Sequence, residues 1–215
     1  MSRIAIIGGH GKIALYLSEI LIGRGHRVGS FIRNPDHAED VSATGAEPVL
    51  ADVENLLTWQ LADLLEGYDA VIWSAGAGGG NPERTFAVDR DAAIRSMDAA
   101  ERAGVARYVM VSYQGSSLEH SIPVDDSFHA YAQAKAEADD YLRRSNLAWT
   151  ILGPSRLIDE PATGTISITR ESGSVRRENV ALVAAEVLNV PGTEGRTLPF
   201  NDGDTPIINA LQVFN

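Results

Sequence analysis

The stretch "RIAIIGGHGKIALYL", residues 3–17, opens as a β-like run, closes as a helical pattern, and turns between them through Gly8, Gly9, His10 and Gly11. Ile4 to Ile7 are continuously apolar, which suits a short strand covered on both faces. Beyond the glycines, Ile13, Leu17, Ile20 and Leu21 recur at helical spacing, and Gly23 and Gly25 close the pattern, so an amphipathic helix is predicted there. Glycine supplies the tight reversal that lets a helix fold back onto the strand preceding it. Strand, turn and helix in this order make the first half of a βαβ unit.

The rest of the chain repeats that rhythm. Arg27 to Ile32, Glu47 to Leu50, Ala70 to Trp73, Tyr108 to Val111 and Trp149 to Leu152 predict further strands, with helices over Leu56 to Leu65, Glu83 to Ala103 and Phe128 to Ser145. The expected fold is α/β, a doubly wound parallel sheet. After Pro154 the pattern loosens into a strand at Thr165 to Thr169, a helix near Glu178 to Leu188, a strand at Arg196 to Pro199 and a last helix from about Thr205. That segment is too small to stand alone. Residues 1–215 are therefore expected to form one domain, in which 154–215 makes a small substrate-side cap over the carboxyl edge of the sheet. Gly76 to Gly80 reads as a glycine-rich loop.

Composition narrows the function. With 44% hydrophobic and 22% charged residues in 215, the chain can bury a core. A formal net charge of −11 argues against nucleic acid as a partner, since the one basic cluster, Arg170 to Arg177, is short and broken by Glu171. The absence of cysteine removes disulfides, thiolate catalysis and cysteine metal sites, and fits a reducing cytoplasm. No run is long enough to span a membrane, and a strand begins after two residues, leaving no room for a secretory signal. The expectation is a cytoplasmic protein acting on a small molecule, with no metal, membrane or nucleic acid involved. Oligomeric state stays open, because helices 83–103 and 128–145 suit either a four-helix dimer interface or solvent.

The opening turn fits a dinucleotide in two frames, Gly9-x-Gly11-x-x-Ala14 and Gly8-x-x-Gly11-x-x-Ala14. Glycines let backbone N–H groups approach a pyrophosphate at the helix start, and the small Ala14 lets helix and strand pack closely. Gly8, Gly9, His10, Gly11, Lys12 and Ile13 are thus candidate cofactor residues. The second strand ends in "SFIRNPD", where an NAD site would place an acid on the ribose 2′-hydroxyl. Arg33 stands there instead, and Asp36 and Glu39 lie beyond Pro35. An arginine favours the 2′-phosphate of NADP, with NAD still possible.

"YAQAK", residues 131–135, carries the chemistry. Tyr131 and Lys135 are four apart on a predicted helix, sharing a face with Ala138 and Leu142, so both can converge on one ligand. A free tyrosine has a pKa of about 10 and exchanges protons poorly near neutrality. A neighbouring ammonium is expected to lower it.

These motifs resemble the short-chain dehydrogenase/reductase superfamily, in particular its compact atypical members of NAD(P)-binding, NmrA-like or epimerase-like type. The resemblance rests on "GGHGKIA" at 8–14, "ADV" at 51–53, "SAGAG" at 74–78, "YVMVSYQG" at 108–115, "YAQAK" and "ILGPSRL" at 151–157, and it covers nearly the whole chain. It implies a Rossmann fold, with Asp52 and Val53 beside the adenine, Ala75 and Gly76 lining the cofactor, and Pro154 and Ser155 bordering the nicotinamide. It also implies a catalytic triad of Tyr131, Lys135 and a serine. Ser112 ends the fifth strand, but relatives often place the active hydroxyl two residues later, where this chain has Gln114; Ser116 and Ser117 are alternatives. Gly153 stands where relatives commonly carry arginine.

The leading expectation is an NADP-dependent oxidoreductase of a small carbonyl or alcohol, with Tyr131 transferring the proton, Lys135 lowering its pKa and holding the nicotinamide ribose, and Ser112 orienting the oxygen. The alternatives are a flavin or biliverdin type reductase, a sugar-nucleotide epimerase or dehydratase that returns the hydride, and an NADP(H) sensor without turnover. The residue pair Tyr131 and Lys135 speaks against the sensor.

Overall fold

The computed structural model describes residues 1–78 and 80–214; Gly79, in the glycine-rich loop, lies outside the described residues. The chain runs β1 (Arg3–Ile7), α1 (Lys12–Gly23), β2 (Arg27–Ile32), α2 (Ala38–Ala43), β3 (Glu47–Leu50), α3 (Thr58–Leu65), β4 (Ala70–Trp73), α4 (Pro82–Thr85), α5 (Ala93–Ala103), β5 (Arg107–Val111), α6 (His129–Arg144) and β6 (Ala148–Pro154). It continues through β7 (Arg156–Ile158), β8 (Thr165–Ile168), β9 (Ser174–Arg176), α7 (Arg177–Glu186), β10 (Arg196–Asp202), β11 (Thr205–Pro206) and α8 (Ile207–Gln212).

Strands β3-β2-β1-β4-β5-β6-β10 pair in parallel and in that spatial order, and β8 and β11 extend the same sheet antiparallel beyond β10. This is the doubly wound Rossmann sheet, with its order reversing next to β1. Residues alternate between two cores. Ile4, Ile6 and Ile72 pack with Leu17 and Leu21 of α1 and with α7, whereas Ala5, Ile7, Val71 and Trp73 pack under α3, α5 and α6. Each fully buried leucine such as Leu17 contributes about 2 kcal/mol from the apolar surface removed from water.

Helix ends follow their sequence signals. At the end of α1, Gly25 takes φ +81° and its N–H bonds to the carbonyl of Ile22 at 2.9 Å. The helix expected over 83–103 is instead interrupted, since Phe86–Ala92 forms a π-helical turn between α4 and α5. Such turns widen the helix by one residue and re-aim a side chain, here Asp89, which is buried. In the C-terminal part, β7 and β9 pair with each other as a two-stranded ribbon, and β10, β8 and β11 are built into the main sheet.

Candidate active site

The turn after β1 puts its three glycines to different uses. Gly8 sits at φ +89°, and a Cβ on it would lie 2.5 Å from Cα of Ala75; a Cβ on Gly9 would lie 2.6 Å from Ser30. The Gly8 and Gly9 N–H groups both donate to the Phe31 carbonyl, tying the turn to β2. Gly11 has ordinary dihedrals, φ −62° and ψ 149°, and a Cβ there would meet only Gly8 O at 3.3 Å and Ser74 O at 3.8 Å. Gly8 is therefore required by the backbone, while the open side of Gly11 faces a cavity. Gly8→Ala should cost at least about 2 kcal/mol in urea unfolding, from the left-handed φ plus the clash with Ala75.

That cavity has a volume of about 310 Å³ and gathers Gly8, Gly9, His10, Gly11, Arg33, Asp52, Val53, Ala75 and Gly76 from the ends of β1, β2, β3 and β4. Arg33 donates to Glu54 at 3.2 Å, and Arg84 donates to Glu54 at 3.3 Å and to the Ala77 carbonyl. Arg95 holds the same loop through the carbonyls of Val53 and Glu54 at 3.1 and 2.8 Å. His10 bonds Asp40 at 2.8 Å and stacks on His37 with centroids 3.6 Å apart. Asp52 accepts from Asn55 at 2.7 Å through one oxygen, while its Oδ1 is buried without a partner. It does not cap α3, whose entry is held by the Leu57 N–H donating to Gln60 at 2.9 Å.

Other expected cofactor residues stand outside this cavity. The Lys12 ammonium pairs with Asp159 at 2.8 Å and the Ile13 side chain is in the core, so only their backbone amides face the turn. Pro154 ends β6, and Ser155 follows it with a buried Oγ that lacks a partner.

The second group of residues lies on α6, β5 and the π turn. Lys135 is 1% exposed, and its ammonium donates to the Val111 carbonyl at 2.9 Å and approaches Met110 Sδ at 3.4 Å. Burial pushes its pKa down, opposed by the nearby charges of Asp139 and Asp89. Burial pushes the Asp89 carboxyl up, against Lys135, the Ala77 N–H at 2.9 Å and Arg84. The Ser112 hydroxyl donates to Asp139 at 2.6 Å, so that proton is not free for a substrate oxygen.

Tyr131 differs from the expectation in one respect. Its pKa is raised well above the usual phenol value, first by burial and then by the negative fields of Asp89, Asp139 and Tyr113. Lys135 fails to lower it because the ammonium is turned to Val111 and is balanced by the two carboxylates. The Tyr131 ring packs against Tyr113 and Phe128 at 5.6 and 5.2 Å, and its hydroxyl has no hydrogen-bond partner among the described residues. Tyr131 is thus held in its phenol form. Two members of this cluster escaped the sequence reading. Asp139 was within reach of it, four residues after Lys135 on the same helical face, whereas Asp89 is aimed inward by a π turn that no local pattern announces.

The cavity fits a dinucleotide on its own geometry: glycine leaves the approach to α1 open, the first turn of α1 carries no acid to repel a phosphate, and Asp52 offers a buried unpaired oxygen. Such a turn at the carboxyl end of a doubly wound sheet defines a nicotinamide dinucleotide-binding protein. The chain belongs to the NAD(P)H-binding family, whose profile matches residues 8–191. It is 34% identical to an uncharacterised sugar epimerase of Bacillus subtilis, over 98% of this chain and 99% of that one. Among solved structures it is similar to a putative NAD-dependent epimerase/dehydratase from Bacillus halodurans, with TM-score 0.91, 31% identity and coverage of 99% and 100%. An oxidoreductase from Lactococcus lactis matches with TM-score 0.86, 29% identity and coverage of 98% and 95%. These relatives place the chain among the epimerase-like and reductase-like members of the short-chain dehydrogenase/reductase type.

Proposed function

We propose that this protein is an NADPH-dependent reductase of a small carbonyl acceptor. The observation that carries the reading is the Tyr131 hydroxyl, left without a protein partner among the described residues one helical turn before the buried Lys135, on a ring packed against Tyr113 and Phe128, where burial and then the fields of Asp89 and Asp139 favour the phenol form. A group in that state gives up a proton to an oxygen that is gaining negative charge and is poorly suited to removing one from an alcohol. The cofactor, when bound, supplies the hydride. Gly8, Gly9 and Gly11 would leave room for its pyrophosphate, Asp52 and Val53 would flank the adenine, and Ala75 and Gly76 would line the path onward, all of them in the wall of one cavity. Tyr131 delivers its proton to the acceptor oxygen and is the catalytic residue. Lys135, whose ammonium is turned to the Val111 carbonyl, ties α6 to the end of β5 beneath Tyr131 and does not lower its pKa.

The pH profile tests this state of Tyr131. A raised pKa means that the phenol persists beyond its ordinary range, so the rate of carbonyl reduction should not fall between pH 7 and about 10. A loss of rate centred near pH 8 would show a lowered tyrosine.

Preference for NADPH rests on Arg33. Moving from Glu54 to a 2′-phosphate leaves Glu54 paired with Arg84, so no buried charge is stranded. Arg33→Ala should weaken NADPH by about tenfold and leave NADH nearly unchanged in titration calorimetry. Equal affinities for the two cofactors in the unaltered chain would overturn the preference.

A second reading is an epimerase in which the hydride is returned to the same molecule. The names of the Bacillus subtilis and Bacillus halodurans relatives favour it. It predicts no net oxidation of NADPH, and its first step needs Tyr131 as a base, the role that the raised pKa disfavours.

A further inference from the structure

We propose that a second cavity, separate from the glycine turn, seats the acceptor by a carboxylate or phosphate group. This rests on the reductase reading and adds the substrate class. The cavity has a volume of about 450 Å³, and its wall includes Tyr113, Ser116, Arg143, Gly153, Arg170 and Pro199.

Its floor follows from strand alternation. Leu152 belongs to the core beneath α1 and α7, so Gly153, like Ile151, faces the α6 side, where Pro199 is its partner in β10. A Cβ at Gly153 would make only ordinary contacts of 3.4–3.5 Å, and a longer side chain in the arginine position of relatives would extend from there. Gly153 therefore keeps this space open.

The wall supplies the chemistry. Arg143 is half-buried in the last turn of α6 and meets the cavity from that end of the helix. Arg170 meets the same cavity from the loop after β8. Neither guanidinium has a hydrogen-bond or ion-pair partner among the described residues, in a chain where 29 acids outnumber 18 lysines and arginines. Ser116 adds a buried hydroxyl oxygen without a partner. Arg170 is exposed and Arg143 half-buried, so both guanidinium forks are open to a ligand entering from solvent, and together with the buried Ser116 hydroxyl they make a donor set that complements an oxyanion.

The same cavity leads to the proton donor. Tyr113 lines it, its ring lies 5.6 Å from that of Tyr131, and its hydroxyl is buried without a partner. An acceptor anchored through its acid at Arg143 and Arg170 extends its carbonyl end toward these two tyrosines.

Calorimetry with 4-formylbenzoate, 4-formylphenyl phosphate and the neutral methyl 4-formylbenzoate, with and without NADP+, tests the site. At least one anion should bind about tenfold or more tightly than the ester, and the tighter anion names the group. Arg143→Gln and Arg170→Gln should each remove most of that preference while leaving NADPH and ester affinities unchanged. Equal affinity for anions and ester, or a preference that survives in both variants, would overturn the proposal. Anion-selective binding without any NADPH oxidation would uphold the site and overturn the reductase reading; equal turnover of acid and ester would do the reverse.

Discussion

Gly11→Val is expected to fold as the unaltered protein does and to lose at least about 100-fold in NADPH affinity. The residue has dihedrals that valine adopts readily, and its Cβ would lie 3.3 Å from the Gly8 carbonyl oxygen, a tight contact that shifts the turn by a few tenths of an ångström and costs some stability without unfolding the chain. The branched side chain instead projects into the cavity, over the free amides at the start of α1. Hydrogen bonds from such amides to a charged oxygen contribute about 1.5–3 kcal/mol each, and losing one or two accounts for the expected factor. Titration calorimetry beside a thermal melt checks it. Retained affinity in a folded variant would make the turn purely structural. Gly8→Ala makes the contrast, because there the clash is with backbone and stability is lost first.

Tyr131→Phe is expected to keep its fold and its NADPH affinity but to reduce carbonyl turnover by roughly 10² to 10⁴. The ring contacts with Tyr113 and Phe128 survive the change, and the hydroxyl has no protein partner among the described residues to lose. Only the transferable proton disappears. Steady-state NADPH oxidation at matched cofactor saturation measures the effect; an unchanged rate would remove Tyr131 from the mechanism and favour an acceptor that needs no proton from it.

The sequence was most legible where structure is local. β2, β3 and β4 fall on the expected residues, because a short apolar run between turns has few other ways to be buried. β1 and β5 each begin one residue earlier, and β6 runs from Ala148 to Pro154, two residues beyond the expected end, because its pairing continues onto β10. What pattern alone did not reveal depends on distant partners. β7 and β9 are three residues each, too short to show alternation, and exist because they pair with one another. The same holds at the site. The glycine turn and the Tyr131–Lys135 spacing are local, so both were visible. The raised pKa of Tyr131 depends first on burial and then on Asp89, brought in from a π turn more than one element away, and the second cavity draws Arg143 from α6 and Arg170 from the loop after β8, far apart in sequence.

Isotope transfer measures net hydride delivery to a carbonyl directly. The purified chain would be mixed with NADPH deuterated at the transferred position and with a panel of aldehydes, ketones, quinones, flavins and nucleotide sugars. The expected result is an alcohol product carrying one deuterium, formed in step with NADP+, at a rate that collapses in Tyr131→Phe. Product formed without net loss of NADPH, or NADPH consumed at the same rate without the Tyr131 hydroxyl, would contradict it.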